Sequence, residues 1–84
     1  MEYSDELIKN LDKLHSTLMG YERIKKNIGL SGDDLEIISQ CKKMILNPQS
    51  KIERNGKNWY VQFDDVKLTV NAFSFTIITA HKIK

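Results

Sequence analysis

The sequence predicts one α+β domain over residues 1–84, with a helical half at 1–47 and a β-sheet half at 51–82. Apolar residues recur every three or four positions up to residue 46 and alternate from residue 51 onward, which is the change from a helical to a strand period. Asn55-Gly56 lies between two alternating segments and is a strong hairpin signal. A chain of 84 residues has room for one hydrophobic core. We therefore expect three helices packed on one face of a four-stranded antiparallel meander.

The first helix is predicted to begin at Ser4, whose hydroxyl can cap it, since Asp5 and Glu6 supply the negative charge that a helix N-terminus favours. Its apolar stripe has spacings of four, three and four and consists of Leu7, Leu11, Leu14 and Leu18. His15 lies beside the stripe. We expect this histidine to be partly buried and structural, with one ring nitrogen hydrogen-bonded.

Ser16 or Thr17 is predicted to end this helix and to cap a second one. The apolar face of the second helix consists of Tyr21, Ile24 and Ile28. Gly29 can take the left-handed conformation that ends a helix. In the alternative, the first two helices form one long helix that contains Gly20, at a cost of roughly 1 kcal/mol relative to alanine.

A third helix follows the loop and cap at residues 31–34 and ends before Asn47-Pro48, because the residue before proline avoids helical geometry. Its inward residues are predicted to be Leu35, Ile38, Cys41 and Ile45, flanked by Ile37 and Met44. Cys41 is the only cysteine, which excludes an internal disulfide and a thiolate zinc cluster. We expect it to be a buried core thiol.

Two turns, at Asn55-Gly56 and Asp64-Asp65, set the expected register of the first three strands. The predicted opposite pairs are Arg54 with Lys57, Ile52 with Trp59, Phe63 with Val66, Val61 with Leu68, and Trp59 with Val70. Both turns place the same apolar residues on the face that meets the helices, namely Ile52, Trp59, Val61, Phe63, Val66, Leu68 and Val70. The last strand is expected at 75–81, and adjacent Ile77-Ile78 favours a central or doubly covered position.

The opposite sheet face is polar and is the best candidate for a functional surface. It carries Tyr60, Gln62, Lys67, Thr69 and Asn71, and Arg54 and Lys57 flank the first turn. An aromatic ring among cations suits stacking of unpaired bases, with phosphate held by Arg54, Lys57 and Lys67. The alternative is the ordinary solvated side of a two-layer domain.

His81 is the candidate catalytic residue. It lies at the end of the last strand, next to Lys82, where its imidazole can act as general acid or base on a phosphodiester. The alternative is an exposed histidine in the C-terminal tail.

Positive charge is concentrated in the sheet half. Residues 47–84 carry six Lys/Arg and three Asp/Glu, whereas residues 1–46 carry seven and eight. This excess favours an anionic partner on the sheet side. In the alternative, the lysines protect sheet edges from aggregation.

Several function classes lack their sequence signatures. The chain has no glycine-rich phosphate loop, no H-E-x-x-H and no G-x-S-x-G motif, and its two histidines have no zinc-binding spacing. We therefore expect no metal and no cofactor. No apolar run approaches the ~20 residues of a membrane span, and the acidic N-terminus is unlike a secretory signal. A cytoplasmic protein without membrane contact is the resulting expectation.

Three segments resemble a bacterial family known only as a domain of unknown function. They are residues 22–30 (ERIKKNIGL), 56–61 (GKNWYV) and 69–82 (TVNAFSFTIITAHK). The resemblance spans nearly the whole chain and implies a small bacterial cytoplasmic protein, with no activity attached. At the level of element order alone, the chain is also similar to the RelE- and barnase-like small ribonucleases, which act on RNA across an antiparallel sheet.

Two functional hypotheses follow. The first is a protein-interaction or regulatory module, favoured by the small size and by an expected exposed apolar strip at Phe73, Phe75 and Ile78. The alternative is an RNA-binding or RNA-cleaving domain that acts through the polar sheet face. The partner is therefore a protein or RNA, and the oligomeric state and the presence of catalysis stay open.

Overall fold

The computed structural model describes the backbone of residues 3–83 and the side chains of residues 6–83. Within that range, three α helices precede a four-stranded antiparallel sheet with strand order β1-β2-β3-β4, so the predicted α+β meander is confirmed. The helices are α1 (Tyr3–Lys9), α2 (Leu18–Ile28) and α3 (Asp34–Leu46), and the strands are β1 (Lys51–Asn55), β2 (Asn58–Phe63), β3 (Val66–Asn71) and β4 (Ile77–Lys82). The predicted cap at Ser4 depends on a side chain outside the described residues.

The first helical stripe is shorter than predicted. The Asn10 side chain donates a 2.8 Å hydrogen bond to the Glu6 carbonyl and so satisfies a carbonyl at the end of α1. A 3-10 helix at Leu11–Lys13 follows. Leu18 opens α2 instead of closing the first stripe and is 81% exposed. Its predicted inward position is wrong because the break turns it away from the other leucines.

The caps of α2 and α3 follow the predicted chemistry. The Thr17 hydroxyl accepts a 3.0 Å hydrogen bond from the Gly20 amide, and Gly29 ends α2 with φ of 71°. The Asp33 carboxylate accepts a 2.9 Å hydrogen bond from the Glu36 amide at the start of α3. Both hydrogen bonds satisfy backbone amides in the first turn of a helix, which have no carbonyl partner within that helix.

One inward position of α3 is predicted wrongly. Leu35 is 80% exposed, and the buried residues of α3 are Ile37, Ile38, Cys41 and Ile45. At about 100° of rotation per residue, Leu35 lies roughly 100° away from the centre of this buried stripe. Cys41 is buried, as predicted.

The turn of the first hairpin lies one residue later in the chain than predicted. Its turn is Gly56-Lys57, closed by Asn55 opposite Asn58, because β1 continues through Asn55. Gly56 takes the positive φ, at 63°. Arg54 therefore lies opposite Trp59, not Lys57.

The Ile52 pairing changes with this turn, but its face does not. Ile52 lies opposite Val61, not Trp59. Its partner moves by two residues, which is one full period of a strand, so Ile52 stays on the predicted face. The second hairpin has the predicted register, with Phe63 opposite Val66.

A single hydrophobic core joins the helices to one face of the sheet. The buried sheet residues are Trp59, Val61, Leu68, Val70, Ile77 and Ala80, and the buried helical residues include Leu7, Ile24, Ile28, Ile37 and Ile45. Phe75 packs beside Trp59, with ring centroids 5.4 Å apart. This core leaves the other sheet face free for polar groups.

The last strand is at an edge of the sheet, so its predicted central position is wrong. A β-bulge between Thr69 and Val70 shifts the pairing of β3 with β4. Ile77 is buried, whereas the adjacent Ile78 is exposed. The bulge explains how two neighbouring isoleucines occur in a strand that has one buried face.

The chain segment before α2 covers the beginning of this edge. His15 forms a parallel bridge with Thr76, and the Ile77 amide donates a 2.7 Å hydrogen bond to the His15 carbonyl. The His15 ring lies 2.8 Å from the Lys13 carbonyl through Nδ1 and 3.1 Å from the Thr76 hydroxyl through Nε2. His15 is exposed, not partly buried, and its ring and backbone both join the segment to the sheet.

Candidate binding surface on the polar sheet face

The register builds the polar face from rows of side chains that cross the sheet. The first row runs through Lys51, Gln62, Lys67 and His81, one from each strand. The second row runs through Glu53, Tyr60, Thr69 and Thr79. Directly opposite residues in antiparallel strands point to the same face, so these eight side chains share one surface. We call this surface the polar face.

A shallow pocket of about 310 Å³ lies on the β1 side of the polar face. Its lining consists of Lys51, Glu53, Asn55, Tyr60, Gln62 and Lys67. The Lys67 ammonium lies 5.1 Å from the centre of the Tyr60 ring, within the range of a cation–π contact. The pocket therefore combines an aromatic ring, two cations, a carboxylate and two amides.

Arg54 lies on the opposite side of the sheet from this pocket. Its guanidinium is 5.4 Å from the centre of the Trp59 ring and 5.8 Å from the centre of the Phe73 ring. Its Nε also donates a 3.0 Å hydrogen bond to the Gly56 carbonyl. The structure therefore separates Arg54 from Tyr60 and Lys67, with which the sequence grouped it.

Lys57 is an exposed residue of the first turn. Its carbonyl accepts a 2.7 Å hydrogen bond from the Ala72 amide. This bond joins the first turn to the chain that follows β3, so the Lys57 backbone has a structural role.

Of two other predicted binding residues, Asn71 has structural contacts and Thr69 is buried. Asn71 Oδ1 accepts hydrogen bonds from the amides of Phe73 and Ser74, at 2.9 and 3.0 Å, and so shapes the turn before β4. Thr69 belongs to the second row of the polar face but is only 8% exposed, so little of its side chain is available to a ligand. Tyr60 and Lys67 are thus the predicted residues that the structure brings together in the pocket.

His81 lies opposite Lys67 at the edge strand β4 and is exposed. Among the described residues, no hydrogen bond or ion pair joins His81 to a carboxylate. Glu53 is on the other edge strand, which is three strand spacings or roughly 14 Å away. His81 and Glu53 are therefore too far apart to act as an acid–base pair on one bond.

Sequence reasoning missed Lys51 and Asn55 as pocket residues. The sequence shows Lys51 only as the first residue of the alternating segment, and Asn55-Gly56 as a turn signal. The sequence feature that identifies them is the period of two from Lys51 through Glu53 to Asn55. Because β1 extends to residue 55, this period puts all three side chains on one face of the sheet.

The exposed apolar strip expected near the last turn is only partly present. Phe73 is 72% exposed and Ile78 is exposed, whereas Phe75 packs against the core. In the part of the chain that the structure describes, no helix has the length and apolar character needed to cross a membrane. The same part holds no group of three or more His, Cys, Asp or Glu side chains that could hold a metal.

A family model described as "Protein of unknown function (DUF3781)" matches residues 8–81. The chain belongs to the DUF3781 family. This match confirms the resemblance to a domain of unknown function and covers all of the polar face. The comparison with curated proteins and the comparison with solved structures found no match, so the likeness to RelE- and barnase-like ribonucleases stays a prediction.

Proposed function

We propose that this DUF3781 protein is a binding module that holds single-stranded RNA on the polar face. The observation that carries the proposal is the pocket in which Tyr60 lies with Lys51 and Lys67. Unpaired bases stack on aromatic rings, and nearby cations hold the phosphates. The Asn55 and Gln62 amides can donate to and accept from base edges.

In this proposal, the Lys67 side chain takes one position before RNA binds and another position afterwards. In the free protein its ammonium lies over the Tyr60 ring. A base that stacks on this ring displaces the ammonium, which is then free to pair with the adjacent phosphate. One residue thereby contributes to the pocket before binding and to the phosphate contact afterwards.

Catalysis is not part of this proposal. General acid–base cleavage of a phosphodiester needs two groups that reach the same reacting atoms. His81 has no carboxylate partner in a hydrogen bond or ion pair within the described residues. We therefore propose that His81 lies beside the bound strand, in the row with Lys51 and Lys67, and takes no part in cleavage.

The test measures binding of a fluorescent single-stranded RNA at increasing salt concentrations. We expect Lys67→Ala to lower the slope of log affinity against log salt by about 0.7, the value of one phosphate contact on a single strand. We expect Tyr60→Ala to weaken binding by about tenfold at unchanged slope, because stacking releases no counterions.

Two matched variants control this experiment. Lys43→Ala removes an exposed lysine of α3, carries the same charge change as Lys67→Ala, and should leave the slope unaltered. Tyr60→Phe keeps the ring and should retain most of the affinity. Equal slopes for the Lys67 and Lys43 variants, or affinity that does not respond to salt, would refute the proposed surface.

A protein-interaction module is the second candidate, favoured by exposed apolar side chains in the described residues. Leu18 and Met19 lie at the start of α2, Leu46 at the end of α3, and Phe73 in the turn before β4, all exposed. Exposed apolar groups of this size are typical of protein interfaces when they form one patch. Retention of partner binding by Phe73→Ser and Leu46→Ser would argue against this candidate.

A further inference from the structure

A second aromatic ring lies on the polar face, outside the pocket that contains Tyr60. His81 of β4 is directly opposite Lys67 of β3, and its side chain is exposed. Within the described residues, no hydrogen bond or ion pair engages the His81 ring. Histidine rings, like tyrosine rings, can stack on unpaired bases of RNA. His81 therefore offers a stacking surface in addition to Tyr60.

Lys67 lies between these two rings. Its ammonium is 5.1 Å from the centre of the Tyr60 ring. Its Cβ is about 5 Å from the Cβ of His81, because directly opposite residues of antiparallel strands are this close. Tyr60, Lys67 and His81 thus follow one diagonal across β2, β3 and β4. The order along the diagonal is ring, cation, ring, which matches the order base, phosphate, base in a dinucleotide.

The sheet surface beside this diagonal is formed by short side chains. Thr69 is buried and Thr79 is half-buried, and the two are directly opposite each other in the second row of the polar face. Neither threonine is long enough to fill the space between Tyr60 and His81. A sugar–phosphate chain can therefore lie over the threonines while its bases reach the two rings.

We propose that His81 forms a second base-binding site on the polar face. The sheet then holds one dinucleotide step of RNA, with one base on Tyr60, the phosphate at Lys67 and the next base on His81. This inference rests on the proposed RNA binding and adds to it the conformation of the bound strand.

The separation of the two rings determines which nucleic acid fits. The Cβ atoms of Tyr60 and His81 are about 12 Å apart, because two strand spacings and two residues along a strand lie between them. Successive nucleotides of a duplex strand are only about 3.4 Å apart along the helix axis. The two bases therefore cannot stay stacked on each other when each occupies its own ring. This requirement excludes a duplex and selects an unpaired, unstacked step.

The test compares two ligands of equal charge by NMR titration of the protein. The ligands are the dinucleotide UpU and a uridine methyl phosphodiester. Both carry one phosphodiester, but only UpU has a second base. We expect the unmodified protein to bind UpU about tenfold more tightly than the one-base ligand, which is the effect of stacking one further base.

Variants of β4 identify the ring that binds the second base. His81→Ala should weaken UpU binding by about tenfold and leave the one-base ligand unaffected. His81→Phe keeps an aromatic ring and should retain the preference for UpU, which distinguishes stacking from charge and from proton transfer. Lys82→Ala is the control, since Lys82 is opposite Val66 on the helix side of the sheet. It should not change the ratio of the two affinities.

The outcomes separate this inference from the RNA proposal beneath it. Equal affinities of the unmodified protein for the two ligands would overturn the second base-binding site alone. A His81→Ala variant that keeps the preference for UpU, or a His81→Phe variant that loses it, would do the same. Absence of binding by both ligands and by longer single-stranded RNA would overturn RNA binding itself, and the second site with it.

Discussion

At the scale of single residues, burial decides the chemistry of the one thiol in the chain. Cys41 lies on the inward side of α3 with no exposed surface. Burial raises the pKa of the Cys41 thiol from 9.0 to about 11, because the low-dielectric core disfavours the thiolate. A thiol with a raised pKa is a poor nucleophile, so Cys41 is a packing residue.

This pKa shift predicts a dependence of stability on pH. The unfolded chain loses the thiol proton above pH 9, whereas the folded protein keeps it until about pH 11. The contribution of Cys41 to the free energy of unfolding is therefore complete below pH 9 and falls by about 3 kcal/mol as pH rises to 11. Urea unfolding at several pH values measures this decrease.

The Cys41→Ala variant isolates this decrease from the lysines and tyrosines that titrate in the same range. We expect the variant to be less stable below pH 9, because it leaves a small cavity. Its stability should then approach that of the unmodified protein as pH rises. Parallel stability curves for the two proteins would contradict the shift.

At the scale of elements, Gly20 leaves room at the start of α2 for the Ser16 side chain, which bonds to β4. A Cβ at Gly20 would collide with the Ser16 hydroxyl. That hydroxyl donates a 2.8 Å hydrogen bond to the Ile77 carbonyl at the edge of the sheet. In the sequence, Gly20 is only a residue of low helix propensity. In the structure, its missing side chain leaves room for the Ser16 hydroxyl that joins two elements.

A double-mutant cycle tests this role. Alanine in a helix raises the free energy of unfolding by roughly 1 kcal/mol relative to glycine. In the unmodified protein, Gly20→Ala should not give this increase, because the new methyl group displaces the Ser16 hydroxyl from its hydrogen bond. In the Ser16→Ala background that bond is already gone, and Gly20→Ala should stabilise the protein. We expect a coupling free energy of about 1 kcal/mol. Additive effects of the two substitutions in thermal unfolding would rule out the contact.

At the scale of the whole molecule, the two ends of the sheet differ in their protection. The outer edge of β4 begins with a backbone hydrogen bond to the segment before α2, donated by the Ile77 amide to the His15 carbonyl. On the other edge strand, the Ile52 amide has no backbone hydrogen bond of this kind among the described residues. The contact between Ser16 and Ile77, which are 61 positions apart, therefore closes the β4 side of the fold.

Hydrogen exchange at low protein concentration should reveal this asymmetry. We predict that the Ile77 amide exchanges as slowly as the Leu68 amide in the central strand β3, because its release requires the segment before α2 to detach. The outward Ile52 amide should exchange faster by orders of magnitude under the same conditions. Rapid exchange at Ile77 would show that this edge opens independently of the core.

Local chemistry accounts for the features that were predicted correctly. The caps at Thr17 and Asp33, the left-handed Gly29 and the second hairpin each depend on residues within a few positions of one another. Their hydrogen bonds and backbone angles are determined by neighbouring residues. Alternation in strands joined by tight turns also assigns Tyr60 and Lys67 to one face of the sheet, as the register shows.

The features that were predicted wrongly depend on contacts between distant segments. Leu18 and Leu35 carry apolar side chains at helical spacing, but the position of each helix against the core decides which side of it is buried. Arg54 is a cation near a turn, and only the observed pairing places it over Trp59. The edge position of β4 depends on a bulge and on the segment at His15.

The order of helices and strands, the two sheet faces and the buried thiol follow from residue periodicity, because a hydrophobic period specifies which side of an element avoids water. Periodicity carries no information on which elements become neighbours. The observed pairing of β1 with β2, the contact of Ser16 with Ile77, and the pocket that joins three strands appear only when the chain closes on itself. Those arrangements depend on the shape of the packed core, which many weak contacts between distant residues determine together.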